Sequence, residues 1–342
     1  MSEATAKMRR LAEGFALSGV FEEGAEIESG HINATYAVRC GGRRYVIQRI
    51  NDFVFPEPEK VMANIALVTS HLASVEMGGM EPLRLVQAKS GENFLRQDGY
   101  WRCYHFVEEA VAHDRVETEE LAEEAAYGYA CFQNQLQELE VESLYETIPG
   151  FHETPRRYRA LVEAFEGADE PLRVEVEEEM TFLEERKAEY GTLHEAGLPL
   201  VVTHNDTKAN NIMLDHRSGR AKCVIDLDTV MPGIGLHDFG DLVRSVTPAG
   251  AEDDVDGAEM RMCLYEALVR GWVRGKGSSL MQKERELMPV AGKLITLETG
   301  MRFLTDHLEG DRYFKVKERG HNLQRARSQF QLARSMERQL GV

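Results

Sequence analysis

The sequence predicts an α+β fold with two lobes, a small β-rich N-terminal lobe of residues 1–108 and a larger helical C-terminal lobe of residues 109–342. Short segments of β-type residues separated by glycine turns dominate the first part, and long segments with helical periodicity follow. A chain of 342 residues is long enough for two such lobes. Phe106, Val107 and Glu108 fall at the predicted junction.

In the N-terminal lobe, apolar spacing predicts helices over residues 1–20 and 59–74, the second one starting after the prolines at 56 and 58. Gly41-Gly42 is a hairpin signal between strands predicted at 32–39 and 45–50. Two more strands are predicted at 83–87 and 100–107.

In the C-terminal lobe, periodicity predicts five long helices, at residues 119–139, 175–196, 255–275, 284–309 and 321–340. Two apolar runs, 198–202 and 223–225, predict short strands. A polar loop that begins at His204 joins them, so its side chains are expected at the edge of the lobe.

Charge and composition exclude several classes of function. The net charge is −18 and the pI is near 5.1, which argues against binding to nucleic acid or to an anionic membrane surface. A nucleotide remains compatible, because a few local cations and a metal suffice at one site. No apolar run approaches the ~20 residues of a membrane span, and no signal peptide is recognised. Five scattered cysteines without metal or redox spacing favour a reducing compartment, and we expect a cytoplasmic protein.

The polar loop carries the residue types that phosphoryl transfer needs. Asp206 is suited to accept the proton of an incoming hydroxyl, while Asn211 and Asp226 offer oxygen ligands for Mg²⁺. Asp226 ends the second short strand, which favours it as a metal ligand over Asp238 of the Asp238-Phe239-Gly240 sequence. Asp228, two residues further on, is predicted as a second metal ligand or a substrate contact.

These residues resemble a known family. His204-x-Asp206-x4-Asn211 resembles the His-x-Asp-x4-Asn motif of the aminoglycoside phosphotransferase and choline kinase superfamily, and the lobe order agrees. Within that superfamily the chain is most similar to the N-acetylhexosamine 1-kinases, in the segments 30–36, 48–51, 205–208, 225–233 and 302–306. The resemblance implies a protein-kinase-like fold and the cofactors ATP and Mg²⁺. It also implies a sugar 1-phosphate product and a loop-supporting role for Asp238.

On the nucleotide side, the resemblance implies a phosphate-covering loop with Gly30, Asn33 and Thr35. The following strand departs from the usual lysine, so that Gln48 or Arg49 is expected to fill its place. Backbone groups around Phe106 to Glu108 are expected to hold the base.

On the acceptor side, we predict a sugar site formed by His31, Asp228, Arg302, Asp306 and Tyr313. Arg302 and Asp306 share a helix face, so a surface ion pair is the alternative interpretation. A kinase for another small alcohol (choline, ethanolamine, homoserine or an aminoglycoside) is the close functional alternative, and a catalytically silent nucleotide-binding pseudokinase is another. The sequence does not indicate the oligomeric state.

Overall fold

A computed structural model describes residues 2–27 and 34–342, and its N-terminal lobe is built on an antiparallel sheet. The strands run in the order β1-β2-β3-β6-β4, with β5 also paired to β6. Gly41 and Gly42, both with positive φ, form the predicted hairpin turn between β2 and β3. The strands are β1 Phe21–Ile27, β2 Thr35–Cys40, β3 Arg43–Ile50, β4 Leu85–Val86, β5 Leu95–Arg96 and β6 Tyr100–His105.

The two faces of this sheet are covered differently. Helix α1, Glu3–Gly14, packs Met8 and Leu11 against one face, in a core that includes Tyr45 and Trp101. Helix α2, Pro58–Leu72, belongs to the other core, which continues into the C-terminal lobe. The sheet therefore separates a small hydrophobic core, which is confined to the N-terminal lobe, from the main core of the molecule.

The C-terminal lobe consists mainly of helices. Helices α3 and α9 pack against each other, and α10 packs against α4, α8 and α11. The helices are α3 Glu119–Gln135, α4 Thr154–Gly167, α5 Glu170–Glu175, α6 Glu177–Glu184, α7 Thr192–Glu195, α8 Gly235–Val246, α9 Met262–Lys276, α10 Gln282–Leu308 and α11 His321–Leu340. None of the helices in the described part of the chain combines the length and apolarity that a bilayer span requires.

Short strands at the edge of this lobe frame the polar loop. Strand β8, Leu200–Thr203, pairs with β11, Met231–Ile234, and β9, Ile212–Asp215, pairs with β7, Ala110–Ala112, and with β10, Ala221–Val224. The polar loop begins at His204, as predicted, but it ends at β9, a strand that the sequence analysis did not predict.

The predicted fold class is confirmed, while several elements differ from the prediction. The single helix predicted over 175–196 is wrong, because the chain there forms α5, α6 and α7 with a 3₁₀ turn between the last two. Val176 interrupts the helix with φ −113° and ψ 12°. Strand β1 and helices α4 and α8 lie in segments to which the sequence analysis assigned no element.

Candidate active site

Asp238 holds the polar loop in place from the first turns of α8. Its carboxylate accepts hydrogen bonds from the backbone N–H groups of His204 (3.0 Å) and Asn205 (2.7 Å). Gln133 adds a third bond of 2.6 Å, and Asp238 is fully buried. Its own carbonyl accepts from the Thr207 hydroxyl. The supporting role implied for Asp238 is therefore what the structure shows.

His204 is buried and holds the polar loop in place through two hydrogen bonds of its ring. Its Nε2 donates to the carbonyl of Ile225 at 2.9 Å, and its Nδ1 accepts from the N–H of Asp206 at 3.3 Å. These two bonds define the neutral tautomer with the proton on Nε2. The ring is buried edge-on against Tyr129 and Phe132.

Asp206 projects from this loop with two polar partners. Lys208 Nζ lies 2.8 Å from its Oδ1, and Asn211 Nδ2 donates to its Oδ2 at 3.0 Å. Burial alone would raise the pKa of Asp206, but the charge of Lys208 outweighs burial and lowers it. Asp206 is thus ionised at neutral pH, as a proton acceptor must be, and 22% of its side chain is accessible.

Asp226 lies beside Asn211, where the predicted metal ligands meet. The N–H of Ile225 donates to the carbonyl of Asn211 at 2.9 Å, which brings the two residues together. Asp226 adopts the left-handed region at φ 58°, and Asn205 in the neighbouring loop does so at 63°. Such conformations in non-glycine residues cost energy and concentrate at functional sites.

The oxygen donors at this place fit a hard divalent cation. Asn211 uses its amide nitrogen toward Asp206, which leaves its carbonyl oxygen available to a metal. Burial, and then the charge of Asp228, raise the pKa of Asp226 to about 6 in spite of the opposing charge of Arg102. A divalent cation would relieve this crowding of negative charge, and Mg²⁺ prefers such carboxylate and carbonyl oxygens.

The N-terminal lobe contributes one cation that the sequence analysis did not identify. Arg102, in the middle of β6, is fully buried and forms an ion pair with Asp228. Its Nε donates to Gln48 Oε1 at 3.1 Å, and its Nη2 lies 3.9 Å from Asp226. Gln48 Nε2 in turn donates to the hydroxyl of Thr35.

This arrangement corrects the expectation for Arg49. Side chains alternate along a strand, so Arg49 projects from the face opposite to Gln48. It is exposed, and its guanidinium lies beside Gly99, away from Asp226. Arg49 is therefore not placed to contact the phosphates of a nucleotide.

A second group of residues lies on the other side of the loop. His152 hydrogen-bonds the carbonyl of Asn205 through Nε2 at 3.0 Å, which places its neighbour Phe151 next to the polar loop, called the catalytic loop below because it carries the predicted catalytic residue Asp206. The guanidinium of Arg302 lies over Phe151 at 4.8 Å and Phe314 at 5.5 Å. Within the described residues, Arg302 forms neither an ion pair nor a hydrogen bond, so the alternative of a surface pair with Asp306 does not hold.

The carboxylate of Asp306 binds the loop that follows α10. Its two oxygens accept from the backbone N–H groups of Arg312, Tyr313 and Phe314 and from the side chain of Asn322. Four bonds occupy the acceptor capacity of a carboxylate. The direct substrate contact expected of Asp306 is therefore not supported, and Asp306 instead positions the backbone of Tyr313 and Phe314.

A family model described as the phosphotransferase enzyme family matches residues 23–275 of this chain. The chain is a member of the phosphotransferase enzyme family. The match includes the catalytic loop, both predicted metal ligands and the strands that carry Gln48 and Arg102.

Solved structures confirm the kinase-like fold of this phosphotransferase. An aminoglycoside phosphotransferase from Alicyclobacillus acidocaldarius subsp. acidocaldarius DSM 446 aligns over 100% of this chain and 96% of its own, with a TM-score of 0.64 and 16% identity. A microcompartment-associated aminopropanol kinase aligns over 98% and 97%, with a TM-score of 0.64 and 15% identity. A spectinomycin phosphotransferase in complex with ADP and spectinomycin aligns over 97% and 98%, with a TM-score of 0.61 and 11% identity.

The remaining predicted residues of the phosphotransferase lie as follows. Gly30, His31 and Asn33 fall outside the described residues, and their roles stay predictions. The side chain of Glu108 pairs with Arg44, and its carbonyl accepts from Lys222, so any contact with a base at this junction would involve other backbone groups. Tyr313 is 46% exposed beside Phe314.

Three cations near the site were missed from the sequence: Arg102, Arg157 and Lys208. A signal existed for Arg102, because a charged residue between apolar neighbours in a predicted strand is buried only when paired. Lys208 stood in the motif itself, two residues after Asp206. No local pattern distinguished Arg157.

Proposed function

We propose that this phosphotransferase is an ATP- and Mg²⁺-dependent small-molecule kinase that phosphorylates the anomeric hydroxyl of an N-acetylhexosamine. The observation that carries the acceptor assignment is a pair of arginines, Arg157 and Arg302, on the acceptor side of the catalytic loop. Within the described part of the chain, neither arginine forms an ion pair, although the charge of Glu298 acts on Arg157. The ADP bound to the related spectinomycin enzyme supports an adenine nucleotide as donor.

The chemistry follows from the residues around Asp206. An acceptor hydroxyl beside Asp206 would donate its proton to the carboxylate while its oxygen forms the new bond to phosphorus. Lys208 offers a positive charge at the same place, where negative charge on the transferred group needs stabilisation. Asn211 and Asp226 would hold Mg²⁺, which neutralises phosphate charge.

The acceptor side is cationic and aromatic. Arg157 is held by two hydrogen bonds, from its Nε (3.1 Å) and its Nη2 (2.7 Å), to the carbonyl of Phe151. Burial, and then the charge of Arg302, lower the pKa of Arg157 to about 10. Two neighbouring guanidiniums repel each other, and a ligand rich in oxygen acceptors would relieve that repulsion.

This charge pattern favours a neutral sugar over an amine. A choline, ethanolamine or aminoglycoside acceptor would bring another positive charge to Arg157 and Arg302, which is unfavourable in a partly buried site. Sugar hydroxyls and an acetamide carbonyl accept hydrogen bonds from guanidinium groups, and the rings of Phe151 and Tyr313 suit the apolar face of a sugar. Aromatic faces at such sites also exclude water from the reacting groups.

The decisive experiment is an acceptor screen with product analysis by phosphorus NMR. The enzyme with Mg²⁺ and ATP is incubated with N-acetylglucosamine, N-acetylgalactosamine, glucose, choline, ethanolamine, homoserine and kanamycin. We expect an anomeric phosphate with an N-acetylhexosamine and no product with the amines. Phosphorylation of an amine alone would refute the sugar assignment but not the kinase assignment. ADP binding without turnover of any acceptor would favour the pseudokinase.

A further inference from the structure

Two buried polar atoms on one face of β6 have no hydrogen-bond partner among the described residues. They are Nη2 of Arg102 and the hydroxyl of Tyr104. The two residues are separated by one position in the strand, so they share a face, and the guanidinium lies 5.4 Å from the Tyr104 ring. A buried donor without a partner costs about 1–3 kcal/mol. A bound ligand or an ordered water would complete the hydrogen bonding of these two donors.

The other nitrogens of Arg102 hold its guanidinium in one orientation. Strands β3 and β6 pair so that Gln48 lies directly opposite Arg102. Nε donates to Gln48, and Nη1 binds Asp228 of the C-terminal lobe. Nη2 is thereby directed toward Asp226, but the distance of 3.9 Å is too long for a hydrogen bond. Nη2, the third nitrogen of the planar guanidinium, therefore faces the space next to Asp226.

We propose that Arg102 binds the phosphate groups of the nucleotide, in place of the cation that β3 lacks. The inference rests on the nucleotide part of the proposed function and is independent of the acceptor. A guanidinium with a free edge is well suited to phosphate oxygens, and it carries its charge at any working pH. Gln48 acts as a positioning residue that orients Arg102, and Asp228 anchors it across the lobes.

A purely structural ion pair would have a different appearance. In a closed pair, the carboxylate and neighbouring acceptors satisfy all buried donors of the arginine, since leaving one unsatisfied costs energy without gain. Here the unsatisfied edge lies toward Asp226, the residue predicted to hold the metal of a metal–nucleotide complex. Phosphate oxygens and Arg102 would then meet beside the same carboxylate.

The test compares nucleotides that differ only in phosphate. Calorimetric titration measures the affinity of wild type, Arg102→Met and Arg49→Met for ADP, ATP and adenosine, with and without Mg²⁺. We expect Arg102→Met to weaken ADP and ATP binding tenfold or more, with adenosine binding within twofold of wild type. Arg49→Met removes the same charge from the adjoining strand and should change none of the three affinities.

Further variants separate phosphate binding from a structural effect. The double variant Gln48→Lys/Arg102→Met carries a cation on β3 in place of the one removed from β6. We expect it to recover much of the ADP affinity that Arg102→Met loses. A variant that only restored folding would not recover this affinity. Because Arg102→Met removes the ion pair with Asp228, Arg102→Lys is the alternative variant if Arg102→Met does not fold. It should weaken ADP binding several-fold at unchanged adenosine affinity.

The outcomes that overturn the proposal are distinct from a failure of the proposed function. ADP affinity in Arg102→Met or Arg102→Lys within twofold of wild type, or equal losses for ADP and adenosine, would reject phosphate binding by Arg102. Wild-type protein that binds neither ADP nor ATP would reject the nucleotide donor and this inference together. Failure of every sugar in the acceptor screen would leave the nucleotide titration fully interpretable.

Discussion

Asp206 is a residue whose environment matches its proposed task. Lys208 and Asn211 each take one of its oxygens, so the carboxylate is ionised and oriented before any acceptor arrives. The ion pair also lowers its basicity, and such a carboxylate becomes an effective proton acceptor only late, as the hydroxyl oxygen bonds to phosphorus. Its contribution should therefore be concentrated in the transition state.

We expect Asp206→Asn to lower kcat by roughly three orders of magnitude while ADP affinity stays within a few-fold of wild type. The amide keeps the shape and loses the proton acceptor. Single-turnover kinetics and calorimetric titration of ADP measure the two quantities on the same preparation. A kcat within a few-fold of wild type would remove Asp206 from the catalytic role.

Arg302 should act on the acceptor and not on the nucleotide. Arg302→Ala removes a half-buried donor that makes no hydrogen bond to a described residue, so we expect the KM for the sugar to rise about tenfold or more, with the KM for ATP unchanged. Arg319→Ala, at an exposed arginine after the same helix, is the control and should change neither constant. An unchanged sugar KM in Arg302→Ala would move the acceptor site toward His31 and Phe151.

The residues of the site were predictable to the extent that they lie in one local motif. Asp206, Asn211 and Asp226 follow from spacing along a loop and two short strands, which the chain reproduces locally. Arg102 and Arg157 join the site only through tertiary packing, since they come from β6 and α4. The structure likewise turns Asp306 inward to its own loop, and no spacing rule separates that from a sugar contact.

At the scale of elements, α8 supports the polar loop, and the predicted metal ligand Asp226 follows the end of β10. Asp226→Asn should raise the Mg²⁺ concentration needed for half-maximal activity, with little change in melting temperature, because this side chain is 38% accessible. Asp238→Asn should instead lower the melting temperature, since an amide cannot accept all three of the buried N–H bonds. Magnesium titrations and thermal unfolding of both variants provide the comparison. The reverse pattern would assign the metal to Asp238.

The contact between α10 and the segment before α4 should make stability depend on pH. Burial would lower the pKa of His152, but the charge of Glu298 and their hydrogen bond outweigh burial and raise it. Burial would likewise raise the pKa of Glu298, and His152 together with Thr154 lowers it. The charged pair therefore stabilises the fold below the unfolded pKa of histidine, about 6.5, and above that of glutamate, about 4.3.

The free energy of unfolding lost in His152→Gln should thus be largest near pH 5.5 and should shrink as the pH rises through the folded-state pKa of His152. Urea denaturation of wild type and variant at pH 5.5, 6.5, 7.5 and 8.5 gives this difference. His216→Gln, at an exposed histidine near β9, should show a small loss without that trend. A loss that is constant or grows with pH would mean that His152 is not charged in the native protein.

Periodic burial alone does not separate the elements that were predicted from those that were missed. Helices α2, α3 and α11 have a buried and an exposed face, whereas α10 is buried at every position from 291 to 301, and the prediction located all four. Helix α8 is buried at nearly every position, yet its sequence has a clear amphipathic period, so a missing pattern does not explain why the sequence analysis assigned no helix there. Strand β1 is an edge strand, and its sequence, Phe21–Ile27, is polar and mostly exposed. It therefore lacks the alternating apolar pattern from which a strand is predicted.

At the scale of the whole molecule, the two lobes share one core. The main core runs from Ile50, Phe55 and α2 in the N-terminal lobe to α11 at the end of the chain. Global and local charge also differ, because a chain of net charge −18 places Arg102, Arg157, Arg302 and Lys208 around its candidate site. Local cations in an acidic protein favour an anionic donor without favouring nonspecific binding to nucleic acid.

Asn64 is a polar bridge within that shared core, and it provides a test of how strongly the lobes are coupled. Its side chain donates to the carbonyls of Tyr145 (2.7 Å) and Val230 (2.9 Å) and accepts from the N–H of Tyr145 (2.8 Å), so its bonds join α2 to the C-terminal lobe. Asn64→Ala leaves these buried backbone groups unpaired, and we expect it to lower the free energy of unfolding by about 2–4 kcal/mol.

Because the core is continuous, that loss should appear in one cooperative transition, with fluorescence and circular dichroism giving the same midpoint. Ser70→Ala, at an exposed position of α2, should leave the midpoint nearly unchanged. Two separated transitions in Asn64→Ala would show that each lobe is stable alone and that Asn64 acts only as a hinge contact. A single transition at lower denaturant would instead mean that N-terminal lobe, catalytic loop and acceptor side form one cooperative unit, in which Arg102 and Asp228 are held at a fixed distance.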